Sequence, residues 1–290
     1  MQWTLLTIGV VLVLGYALLL RGRVKNPACQ NFDGWLYAHR GCFNREETIP
    51  ENSRAAFRRA VEKGVGVELD VHLLADGGLA VIHDSNLERV TGCTGVVEDL
   101  TTDQLASYHL FGTAETIPTF QEALEIFHGA VPMIIELKTH NRNTEALCQA
   151  VWDAVKDYEG LYCMESFDPS VVYWLRKNHP DIVRGQLAEN MFKAKTEVKL
   201  NGLMRFGATY LLMNPLTRPD FIAYRYADRS NLANQICLNI WGMRGVSWTL
   251  RSQEELDTAR REDLWPIYEG FEPDTAYDYA DEERKAESHV

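Results

Sequence analysis

The chain has 290 residues, 46% of them hydrophobic, and a formal net charge of −12. That composition supplies one sizeable core and excludes an intrinsically disordered chain. The acidic balance makes a polyanion such as nucleic acid an unfavourable partner.

The first segment, Trp3 to Leu20, is 18 residues without a charge. That length approaches a hydrocarbon-core span. A cleaved signal peptide, the competing reading, calls for basic residues before the apolar run. Here only Gln2 intervenes after Met1, and Arg21, Arg23 and Lys25 follow. Residues 1–25 are therefore expected to be a single-pass membrane anchor with its basic flank. The following domain is then expected on the cytoplasmic side.

A short strand is expected at Leu36–His39, followed by Arg40 and Gly41. Imidazole titrates near neutral pH, so His39 suits proton transfer. Arg40 offers a planar fork for phosphate oxygens, and Gly41 permits close backbone approach. Pro50 and Asn52 open an amphipathic helix over Arg54–Lys63, with Gly64 ending it; Asn52 is the expected N-cap.

Val65–Val71 reads as a buried strand. Side chains alternate along it, so Glu68 and Asp70 share one face. Burying both charges is costly unless a cation compensates them. Oxygen ligands favour Mg²⁺ or Ca²⁺. The plainer alternative puts both carboxylates at the exposed strand end against lysines. Asp76-Gly77-Gly78 marks a hairpin; Leu79–Ile82 returns as a strand and delivers His83-Asp84 to its tip. Residues 84–117 exceed a simple crossover, so a small insertion is expected to cap the site. Val131–Lys138 is a second apolar run ending in charge. Glu136 there completes a three-carboxylate set, and Lys138 supplies a counter-charge or phosphate contact.

The remaining chain alternates. Strands are expected at 161–167, 182–187, 209–213, 245–250 and 265–268, and helices at 143–158, 169–178, 193–205, 231–241 and 253–262. This order implies an α/β fold with a parallel sheet, one domain over residues 33–275, and a polar tail at 276–290. Six cysteines, without metal-ligand spacing, read as reduced thiols. Cys42 reads as a small wall residue rather than a nucleophile.

The motifs taken together resemble the glycerophosphodiester phosphodiesterases. The carrying pieces are AHRG at 38–41, PENS at 50–53, AVEKGVGVELDV at 60–71, DGGLAVIHD at 76–84, LERVTGCTG at 87–95 and IPTFQEAL at 117–124. IIELK at 134–138, SFDP at 166–169 and WTLRSQEEL at 248–256 extend the match. The resemblance implies a (β/α)8 TIM barrel, with His39 and His83 as the acid/base pair. It further implies Glu68, Asp70 and Glu136 as metal ligands, Arg40 and Lys138 as phosphate contacts, and Trp248 lining the pocket. One departure stands out. Many members end the last strand with a pattern near GxxTDxP, whereas residues 267–273 here read IYEGFEP.

The expected reaction is hydrolysis of glycerophosphodiesters to sn-glycerol 3-phosphate and an alcohol, with one divalent cation, Mg²⁺ or Ca²⁺. Lysophospholipase D-type hydrolysis of lysophospholipids is the alternative. A catalytically silent barrel scaffold ranks last, because none of the chemical residues is missing.

Overall fold

The computed structural model describes residues 2–194 and 200–274. Eight parallel strands form its centre: β1 (Tyr37–His39), β2 (Gly66–Leu73), β4 (Met133–Leu137), β5 (Tyr162–Ser166), β6 (Arg184–Ala188), β7 (Phe221–Arg225), β8 (Arg244–Leu250) and β9 (Leu264–Tyr268). They follow one another around a ring that closes because β1 pairs with both β2 and β9. A short strand, β3 (Leu79–Val81), lies antiparallel against β2 after the expected hairpin, whose Gly77 takes a left-handed φ of 86°. The helices between the strands are α2 (Arg54–Lys63), α4 (Phe120–Phe127), α5 (Thr144–Val155), α6 (Pro169–Asn178), α7 (Gly202–Thr209), α8 (Asn214–Thr217), α9 (Leu232–Gln235) and α10 (Gln253–Arg261). The alternating pattern called for an α/β fold with a parallel sheet, and the closed ring is the (β/α)8 barrel that the family resemblance implies.

Alternation along the strands separates two environments. Val67, Leu69 and Val71 of β2 face outward and pack with Phe57 of α2 and Phe120 and Phe127 of α4. The intervening Glu68 and Asp70 face the barrel interior. Below them the interior is apolar, filled by Tyr37, Ile134, Cys163, Phe221, Val246, Trp265 and Ile267 with Phe32. All six cysteines are free.

Residues 84–117 form a short helix, α3 (Glu88–Thr91), and three short 3-10 segments. They share a small core in which Leu87, Val90, Val97, Leu105 and Ile117 surround Ile82.

Three expectations change. The run 209–213 is not a strand. Leu211 has φ 54° and α8 begins at Asn214, so the strand of this unit is β7, after Pro219. A short apolar run does not by itself distinguish strand from helix packing, and Leu211 serves a core outside the barrel with Ile222 and Tyr224. The helix expected at 193–205 overlaps residues 195–199, which lie outside the described residues, as does the tail 276–290; the described helix there is α7. Ser53, not Asn52, caps α2, its side chain accepting from the Ala56 amide at 3.1 Å.

The N-terminal apolar run forms a helix, α1 (Gln2–Leu19). Eighteen residues at about 1.5 Å each give roughly 27 Å, less than the roughly 30 Å hydrocarbon core. Its last turn is moreover held by the barrel: Leu20 is buried, and Tyr16 and Ala17 pack beside it. Among the described residues no helix is long and apolar enough to cross a membrane. The spanning anchor read from the sequence is corrected accordingly.

Candidate active site

The strand ends at the C-terminal face surround a cavity of about 230 Å³. This is the face on which barrels of this kind carry their functional loops. Parallel register brings the acidic residues level: His39 of β1 lies opposite Glu68, Asp70 opposite Glu136, and Glu136 opposite Glu165 of β5.

One carboxylate oxygen from each of Glu68, Asp70 and Glu136 lies within 4.8 Å of the other two. All three residues are buried. Burial, reinforced by Asp70 and Glu136, raises the Glu68 carboxyl well above its ordinary range. Burial also raises Glu136, to about 7, with Lys138 opposing and Asp70 adding to the rise. At Asp70 burial works against the charge. Lys138, His83 and Arg40 outweigh it and hold that carboxyl well below the usual range. The fourth carboxylate, Glu165, is also pushed well up by burial and by Glu136, and its Oε2 is buried without a hydrogen-bond partner. Clustered oxygen donors with more negative charge than Lys138 and Arg40 balance fit a hard divalent cation.

Lys138 Nζ lies 3.0 Å from Asp70 Oδ1 and 2.8 Å from Glu136 Oε2. Arg40 adopts φ 57° just after β1, which turns its amide toward Glu68 Oε2 at 3.2 Å. Its guanidinium donates to Glu51 Oε1 at 2.6 Å and lies 3.5 Å from Asp70 Oδ2. Glu51 in turn receives two bonds from Arg89, at 2.7 and 3.0 Å. Asn52, with φ 50°, donates Nδ2 to Asp70 Oδ2 at 2.8 Å. The segment 50–53 thus supports the acidic cluster from below α2 rather than merely starting a helix.

Both histidines are held the same way. His39 Nδ1 donates to Glu269 Oε2 at 2.5 Å, and His83 Nδ1 donates to Asp84 Oδ1 at 2.5 Å. Burial works to raise the Glu269 carboxyl, but the bond from His39 and its charge bring it down to about 2. Asp84 is likewise pulled below the carboxylate range by His83 and Arg89, against the effect of burial. An ionised carboxylate only accepts, so each Nδ1 carries the proton and each Nε2 keeps its lone pair. His39 Nε2 lies 3.8 Å from Glu68 Oε2. Burial lowers both imidazoles, that of His83 to about 4 with help from Lys138.

The opposite wall is apolar. Trp248 stacks edge-on against Phe167 with centroids 5.6 Å apart and donates Nε1 to the Ala223 carbonyl at 3.0 Å. Leu187 completes that lining, with Thr249 and Arg251 beside Trp248, while Phe43 and Ile267 line the cavity from the β1–β9 side. Cys42 turns its thiol to the Tyr268 hydroxyl at 3.7 Å, and burial raises its pKa, which does not suit a nucleophile.

The structure therefore gathers His39, Arg40, Glu68, Asp70, His83, Glu136, Lys138 and Trp248 around one mouth. The sequence did not single out Glu165 or Glu269. Glu165 ends an apolar strand just as Glu136 does, a pattern open to reading. Glu269 lies in the departing segment at 267–273, and only closure of β9 onto β1 brings it to His39.

The model of the glycerophosphoryl diester phosphodiesterase family matches residues 39–262. A glycerophosphodiester phosphodiesterase of Caldanaerobacter subterraneus is 34% identical over 162 residues, covering 52% of this chain. The chain spans 65% of that relative's length. The Bos taurus glycerophosphodiester phosphodiesterase 1 is 35% identical over 254 residues, covering 75% of this chain and 72% of its own. Among solved structures, an Oleispira antarctica phosphodiesterase in complex with the product sn-glycerol-3-phosphate superposes with a TM-score of 0.67. At 20% identity it covers 82% of this chain and 94% of its own, and shares the fold.

Proposed function

The chain belongs to the glycerophosphoryl diester phosphodiesterase family, and we propose that its barrel mouth hydrolyses glycerophosphodiesters to sn-glycerol 3-phosphate and an alcohol. The observation carrying this reading is the pair of carboxylate-oriented histidines flanking the Glu68–Asp70–Glu136 cluster. These three carboxylates would hold a divalent cation, Mg²⁺ or Ca²⁺, which when bound supplies neutralisation of phosphate oxygen charge. Arg40 and Lys138 add positive charge on the same side of the cavity and orient the diester. One histidine acts as neutral imidazole, its Nε2 taking the proton of the attacking oxygen; the other first takes up a proton from solvent at Nε2, as an imidazolium paired with its carboxylate, and delivers that proton to the departing alcohol oxygen. Glu269 and Asp84 keep each ring in the tautomer that leaves Nε2 to act, as the acid of a catalytic triad does for its imidazole.

The apolar wall of Phe167, Leu187 and Trp248 favours a second reading, hydrolysis of a lysophospholipid at the same bond. Membrane association belongs to the same proposal; it is supported by the exposed apolar side chains of α1. The test is a side-by-side assay of glycerophosphocholine and lysophosphatidylcholine with and without a chelator. Release of glycerol 3-phosphate that stops on chelation and returns with Mg²⁺ or Ca²⁺ is expected. Cleavage of neither substrate in the metal-loaded protein would overturn the proposal.

A further inference from the structure

Outside the active site, exposed apolar side chains concentrate on one side of the molecule. Trp3 through Leu14 of α1 are exposed without a break. No single stripe is buried, so the helix is not shaped for one groove on a protein. A helix apolar all round belongs in a core or in lipid.

The contacts of α1 fix its direction against the barrel. Gly22 meets Met243 Sδ with its amide at 3.3 Å, and Arg23 pairs with Asp220 at 2.8 Å. Asp220 and Met243 immediately precede β7 and β8, so this end lies at the closed, N-terminal face of the barrel. Just above, the Leu20 carbonyl accepts from Asn214 Nδ2 at 2.8 Å. One turn further toward the N-terminus, the Tyr16 hydroxyl donates to the Tyr210 carbonyl at 3.1 Å. The neighbouring Thr209 hydroxyl accepts from the Met191 amide at 3.0 Å. Met191 follows the end of β6, at the mouth. The helix therefore climbs the barrel wall from the closed face to the mouth. Its remaining residues, Gln2–Gly15, continue past Tyr16 for about 20 Å.

At that level the rim is apolar as well. Phe192 follows Met191, and the Phe206 ring lies 4.7 Å from that of Tyr210. Leu203 is 79% exposed, Met204 is exposed beside it, and Leu232 is exposed at the start of α9, after β7. A patch of this kind, continuous with a projecting apolar helix, marks an interaction surface. With a net charge of −12, attraction to an anionic surface is not what holds it.

We propose that the mouth face on the β6–β7 side docks on a neutral lipid bilayer, with the projecting part of α1 embedded and Phe192, Leu203, Met204, Phe206 and Leu232 at the lipid boundary. The active-site opening then faces the membrane, and an amphiphilic diester enters without crossing bulk water. This last consequence rests on the hydrolysis proposed above; the docking does not.

The test is co-flotation of the full chain with phosphatidylcholine vesicles. The variant F192E/L203E/F206E is compared with L216E/I240E, whose positions are equally exposed but lie toward the closed face. The first is expected to lower vesicle partitioning at least tenfold and leave glycerophosphocholine turnover unchanged; the second is expected to partition like the parent. Equal loss in both variants, or no loss in the first, would overturn the docking face. So would a concentration-dependent dimer that the first variant dissociates in the absence of vesicle binding. Vesicle binding without hydrolysis would leave the docking standing and remove only the proposed reaction.

Discussion

The two arcs of the barrel mouth are built from opposed chemistry. From β9 through β1 and β2 to β5 the strand ends carry Glu269, His39, Glu68, Asp70, Glu136 and Glu165. From β6 to β8 the wall is Leu187 and Trp248, backed by Phe167, with Thr249 and Arg251 only where β8 adjoins β9. On the first arc the direction of the acid/base groups is set by hydrogen bonds, at Nδ1 of each histidine, both oxygens of Glu51 and Oδ2 of Asp70, while Asp70 Oδ1 and Glu165 Oε2 stay without one. On the second, position is set by ring packing. The difference teaches that bond-breaking groups need fixed protonation and direction, which hydrogen bonds provide. The part of a substrate that does not react needs only volume and apolar contact.

That division breaks most readily at the histidines. His39→Ala and His83→Ala are expected to lower kcat by about 10²- to 10⁴-fold, with circular dichroism unchanged. Trp248→Ala, on the other arc, is expected to raise KM and leave kcat within a few-fold, because it removes contact with the non-reacting portion. Steady-state kinetics on glycerophosphocholine decides. A kcat loss at Trp248 as large as at His39 would abolish the distinction.

A smaller effect tests how far the charged arc extends. Glu269→Gln keeps a hydrogen-bond acceptor for His39 but removes the charge that fixes its tautomer. Outer partners of this type are worth about 10–100-fold. The loss is expected in kcat, with a change in the pH profile and with KM held. If E269Q behaved as wild type, or lost only folding stability, the arc would end at β1.

Much of this is legible in the sequence alone. Glu68 and Asp70 announce themselves because two carboxylates on one face of an apolar strand demand compensation. Glu136 and Lys138 repeat the signal. His39 and His83 stand at strand tips, where a barrel puts its chemistry. What stayed hidden is of two physical kinds. Glu269 acquires its role only when the ring closes and β9 meets β1, a contact spanning nearly the whole domain. The apolar run at 209–213 reads as a strand and is not one, because hydrophobicity reports burial and not backbone conformation. The same limit applies to α1, whose final turn packs on the barrel instead of extending a span.

The mildest test concerns protons rather than turnover. Glu136 is raised to about 7 mainly by burial, so in the cation-free protein it holds a proton at pH 6 and sheds it by pH 8. A carboxyl with a raised folded-state pKa contributes stability at low pH that is lost as pH rises from its unfolded value through 7. Asp70 is shifted the other way, and its window lies below the ordinary carboxylate range, outside this interval. A divalent cation at Glu68, Asp70 and Glu136 replaces the proton. Its affinity is therefore expected to rise with pH, by up to about tenfold between pH 6 and 7 for the Glu136 proton, with the raised Glu68 carboxyl adding to the rise. Calorimetry in buffers of different ionisation enthalpy measures the proton directly: release at pH 6 that falls as pH rises past the Glu136 value. An affinity independent of pH, with no proton released, would mean that the cation does not compensate the buried carboxylates. The charged arc would then owe its neutrality to Lys138 and Arg40 alone.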